Sequence, residues 1–137
     1  MDEINQIEND VMTMAGGHFT PAALGPEGFA AIRDRAREQP DAYLDAFERM
    51  FMGVRFNAEL HAAIVPTVFL DQLRDVAPER VRALAASLLK QYDAVLVIYD
   101  QFPDKAMLDQ QLPARTANYL IRLSEHRREL RRLLEEK

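Results

Sequence analysis

Apolar residues recur at intervals of three and four along most of this chain, the period of a helix with one buried face. Between Asp41 and Val54 they fall at Tyr43, Ala46, Phe47, Met50, Phe51 and Val54, with Gly53 placed to cap the helix end. A longer series follows Pro78: Val81, Leu84, Ala85, Leu88, Leu89, Tyr92, Val95, Leu96 and Tyr99. Another stripe, His61, Ile64, Val65, Val68, Phe69, Gln72 and Val76, predicts a helix from an N-cap at Asn57 to Val76. Pro66 lies inside it and must kink or split it, because proline has no backbone N–H and its ring clashes with the preceding turn. A shorter helix over 27–39 turns Phe29, Ile32 and Ala36 to one side before Pro40 ends it. A brief one is expected over 104–111. Pro113 opens the last, with Tyr119, Leu120 and Leu123, then Leu130, Leu133 and Leu134, on its apolar side. Ser124 and Arg127 interrupt that stripe, so the final turns are expected to project from the body.

One segment allows a second reading. Asp93 to Asp100 is rich in β-branched residues and has the look of a buried parallel strand. Helix is the preferred reading: the stripe from Leu89 runs into it without a glycine or proline, and no second strand is available to pair with it. A helix apolar all round belongs at the centre of a bundle, which would make the Pro78 helix the core axis.

These elements predict an all-α fold, a compact bundle of four to five amphipathic helices over residues 27–137. Residues 1–26 read as a flexible or weakly helical lead-in: Ile4, Ile7 and Val11 are weakly periodic, and four of the five glycines lie between Gly16 and Gly28. A minor alternative is a short HEAT-like helical repeat, since Pro40, Pro78 and Pro113 each open a similarly patterned helix.

Length and composition fit this picture. A chain of 137 residues with 48% hydrophobic and 28% charged residues can bury one ordinary core. No cysteine is present, which excludes disulfides, thiol nucleophiles and zinc–thiolate sites, and suits a reducing, cytoplasmic setting. The opening Met-Asp-Glu is acidic where a secretory signal is basic, and no apolar run reaches the roughly 20 residues that span a bilayer. Arginine outnumbers lysine fourteen to three, a bias associated with bacterial genomes of high GC content. The net charge of −5 argues against general nucleic-acid affinity. It is uneven, however, since residues 115–137 carry seven bases against four acids.

Catalytic signatures are missing. The only serines, Ser87 and Ser124, have no flanking glycines of a nucleophile elbow, and Gly16-Gly17 is followed by His18-Phe19 rather than a phosphate-cradling sequence. The histidines, His18, His61 and His126, lie far apart, without the Glu-x-x-His spacing of di-iron bundles. His126 with Glu129 reads as solvated, and Asp100, Asp104 and Asp109 as caps and surface. No catalytic residue, metal or cofactor is therefore assigned.

Two segments carry more surface than a self-contained bundle needs. Tyr43, Phe47, Phe51, Met52 and Phe56 form an aromatic and methionine-rich stretch suited to an adaptable contact. Arg127, Arg128, Arg131 and Arg132 stud the last helix, where Leu130 and Leu134 offer a seam for a homodimer. His61 and Gln72 are polar spots on an apolar stripe, read as hydrogen-bonded core with a ligand groove as the alternative. The expectation is a protein-binding module acting by surface occlusion, of the kind that bacterial immunity proteins and antitoxins represent, with a toxin or effector as partner. The alternative is a nucleic-acid-associated regulator using the arginine helix.

Overall fold

The computed structural model describes residues 3–15, 20–52, 58–102, 110 and 112–135, with side chains described for all of these except 20–26 and 58–59. Among them the fold is all helical: α1 (Glu3–Ala15), α2 (Thr20–Glu38), α3 (Pro40–Phe51), α4 (Ala58–Ala63), α5 (Pro66–Leu73), α6 (Pro78–Val95), α7 (Val97–Gln101) and α8 (Ala114–Glu135). The expected caps at Gly53 and Asn57 and the expected helix over 104–111 lie outside the described residues.

Helix α1 packs on the rest of the fold. Ile7, Val11, Met14 and Ala15 of α1 are buried, and α1 packs against α2, α3 and α5. Helix α2 begins at Thr20, with Pro21 in its first turn where a missing N–H is harmless. It then runs through Gly25-Pro26, at the expense of one helical hydrogen bond. Contacts between elements far apart in the chain, α1 with α5 and both α4 and α5 with α8, make a compact bundle. A helical repeat would join each unit to its neighbours only.

Prolines set the breaks. Pro40, Pro66 and Pro78 each stand in the first turn of a helix, where the fixed φ of proline is already helical. At Pro66 the expected helix is split rather than bent. Val65 is extended (φ −123°, ψ 91°), as a residue before proline prefers. Its freed N–H donates to the carbonyl of Ala15 at 2.7 Å, satisfying an orphan acceptor at the end of α1.

Asp93–Asp100 is helical. The rotation shifts at Leu96, whose ψ of 8° separates α6 from α7. Leu96 is buried, while Val97 and Ile98 face solvent. The Pro78 helix therefore has one core face (Val81, Leu84, Ala85, Leu88 and Tyr92) and is not apolar all round.

Among the described residues helices α6 and α8 form the most extensive packed pair. They are antiparallel: Arg82, near the start of α6, donates to the carbonyl of Leu134 near the end of α8, while Arg127 and Arg131 reach Asp93 near the end of α6. The last turns of α8 do not project, since Leu130 and Leu133 are buried. Leu130 is buried in the chain's own core and Leu134 is half-buried against it. Arg37 clamps α2 to the end of α5, bonding Asp75 at 2.6 and 2.7 Å and the carbonyl of Gln72 at 2.9 Å.

Candidate functional site

The aromatic stretch of α3 is core. Tyr43, Phe47 and Phe51 are buried, and Phe47 stacks on Phe69 of α5 with ring centroids 5.0 Å apart. Met52 is half-buried against the same core, and Phe56 lies outside the described residues. The surplus of apolar residues is absorbed because α3 is covered on more than one side, by α1, α2 and α6. Tyr43 turns its hydroxyl to Asp10, a carboxylate only 2% exposed, at 2.6 Å. Arg35 donates twice to the same carboxylate and Gln6 once, so the buried charge is both paired and hydrogen-bonded. Burial, and then the hydrogen bond to Asp10, push the Tyr43 phenol up to about 12.

His61 is a buried core residue with both ring nitrogens partnered. Its Nε2 lies 2.9 Å from the carbonyl of Phe51 and its Nδ1 2.7 Å from the hydroxyl of Tyr92. A carbonyl only accepts, so Nε2 carries the proton and Nδ1 accepts from Tyr92. His126 is a correction to the sequence reading: it is not solvated but 3% exposed, with its ring 6.4 Å from that of Tyr92. It bonds the backbone carbonyl of His61, and its Nε2 has no partner among the described residues. Burial lowers both histidines below their ordinary value. The joint knits α3, α4, α6 and α8 together, and its chemistry is that of packing. Gln72 lies instead beside a groove of about 350 Å³ between α5 and α8, with Thr67, Val68, Asp71, Glu129 and Arg132. Thr67 donates to Glu129 across it at 2.8 Å.

The four arginines of α8 separate into different roles. Arg127 is buried and grips Asp100 of α7 through two bonds of 2.7 and 2.8 Å, with Asp93 at 3.4 Å. Arg131 reaches Asp93 at 3.3 Å and stays largely exposed. Arg128 and Arg132 are exposed. Because Ser124, Arg128 and Arg131 lie four and three residues apart on α8, they share one side of it. With Arg127 and with Tyr99 of α7 they line a polar pocket of about 190 Å³. Beside Tyr99 in sequence, Val97 is 50% and Ile98 57% exposed, a pair of aliphatic side chains left in water.

Among the described residues there is no cluster of three or more histidine or acidic side chains placed to hold a metal ion, and no helix long and apolar enough to cross a membrane. The sequence missed the Tyr99 pocket because its parts come from two helices. The available signal was the interruption of the α8 stripe at Ser124 and Arg127, which marks polar residues turned inward. Compared with protein-family models, with curated proteins and with solved structures, the chain matches none.

Proposed function

We propose that this chain is a protein-binding module whose working face is the α7–α8 side. The observation that carries the reading is the adjacent exposed pair Val97 and Ile98. Single exposed aliphatics are ordinary on a protein surface, but here two neighbours sit next in sequence to Tyr99 of a polar, arginine-lined pocket. An apolar contact flanked by arginine is a common composition for an interface centre. The absence of cysteine supports a reducing, cytoplasmic setting.

The narrower reading, an inhibitor that occludes a basic toxin, draws support from the net charge of −5 and not from this face. The nucleic-acid reading draws on Arg128 and Arg132, since Arg127 and Arg131 are already opposite Asp93 and Asp100.

Photo-crosslinking in the cell that makes the protein tests the proposal. A photoreactive phenylalanine at position 98 should give a discrete protein adduct, lost when Arg128→Glu is added, while the same group at the exposed Ala86 of α6 should give none. No adduct from position 98, or the same adducts from both positions, would overturn it.

A further inference from the structure

We infer that the pocket between α7 and α8 is a binding site for a single monoanionic oxyanion, a carboxylate above all. It is lined by three arginines, a tyrosine and a serine: Arg127, Arg128, Arg131, Tyr99 and Ser124. At about 190 Å³ it has room for one such group and little more.

The charges select the ligand. Arg127 is held at Asp100 and within reach of Asp93, and Arg131 shares Asp93. Among the described residues two carboxylates thus offset two of the three positive charges and leave a surplus of one. A monoanion closes that balance, whereas a dianion would leave one negative charge uncompensated beside Asp93 and Asp100.

The geometry is partly built in advance. Arg127 is buried and fixed by two short bonds to Asp100, so one wall does not have to be ordered on binding. Ser124 is also buried, and its hydroxyl proton is committed to the carbonyl of Ile121 at 2.6 Å, so it serves the pocket as a fixed wall and not as a donor to the anion. Arg128, one turn further along α8, makes no ion pair among the described residues. Its donors are the ones free to meet an arriving oxyanion, and a fork of planar N–H groups suits a carboxylate.

The source of the anion rests on the protein-binding reading above: an aspartate or glutamate of the partner would enter the pocket while Val97 and Ile98 cover its apolar neighbours. The pocket itself is tested without that reading. Acetate is titrated into the whole protein at pH 7 and fixed ionic strength, following the arginine Nε–Hε signals by NMR. Saturable shifts are expected at Arg128 and Arg131, with none at Arg132, and the response should vanish in Arg128→Ala but survive in Arg132→Ala. Linear shifts of equal size at Arg128 and Arg132 would reduce the effect to general screening and overturn the site. Tighter binding of inorganic phosphate at pH 8, where it is a dianion, would overturn the selection for a monoanion. Acetate binding combined with no crosslink from position 98 would keep the pocket and remove its assignment to a protein partner.

Discussion

The hydroxyl of Tyr92 donates to Nδ1 of His61 at 2.7 Å, a direction set by the other ring nitrogen of this buried imidazole, whose proton goes to the carbonyl of Phe51. Changing Tyr92 to Phe should leave the ring packing intact, edge to face with His61 at 5.3 Å, and strip the donor. An unsatisfied buried acceptor costs roughly 1–3 kcal/mol. Urea unfolding should show that loss, and a stability equal to the parent would mean that the bond contributes nothing.

Both buried histidines make stability depend on pH in one direction. In the unfolded chain each takes up a proton near 6.5, while burial holds the folded-state value lower. Stability is therefore complete above 6.5 and falls as the pH drops from there towards the folded-state values. The groups facing His126 include Glu125 and Glu129, which oppose this shift, and Arg122, which adds to it. Unfolding midpoints measured from pH 8 down to 5.5 should decline, with a smaller slope in His126→Asn than in the parent. An unchanged slope would place the titration elsewhere.

Asp10 accepts four hydrogen bonds from three side chains in the core between α1, α2 and α3. Asp10→Ala should cost roughly 1–3 kcal/mol, chiefly through the stranded Tyr43 hydroxyl, because Arg35 is about half exposed and can return to water. Asp10→Asn keeps an acceptor but removes the charge. The Tyr43 phenol should then fall from about 12 towards its ordinary 10, which ring-carbon NMR of that tyrosine would follow.

Arg127 and Arg128 are adjacent in sequence and opposite in consequence. Arg127→Ala removes both short bonds to Asp100 and should lower stability by roughly 1–3 kcal/mol. Arg128→Ala touches no such network and should stay within about 0.5 kcal/mol of the parent. Equal losses on denaturation would contradict the division of the α8 arginines into structural and exposed members.

The helical stripes were legible because they are apolar and regular. Val81, Leu84, Ala85, Leu88 and Tyr92 are all buried as their spacing implied. His61 apart, what escaped were the polar residues that occupy core positions, Asp10, Ser124, His126 and Arg127. Helix α1 looked frayed because Asp10 breaks its apolar face, yet Asp10 is the residue that ties it down. In α8 the gap between Leu123 and Leu130 read as the end of the buried face, but His126 and Arg127 fill it and are themselves buried. Patterning treats a charge as a sign of solvent, and a charge with its partners on another helix leaves no mark in the local sequence. The rotation at Leu96 was equally hidden, since no glycine or proline announces it.

The bond from Val65 to Ala15 has a consequence for how the chain is made. Helix α1 leaves the ribosome before every element it packs on, and its last carbonyl waits for an N–H that the ribosome adds just before Pro66. Until that point is synthesised, the buried face of α1 has α2 and α3 to lean on but not α5. The contact of α1 with α5 therefore waits for the synthesis of α5, while its contacts with α2 and α3 can form earlier. A nascent chain stalled ahead of Pro66 should hold α1 on α2 and α3 alone and leave it more open to chaperones than one released beyond α5.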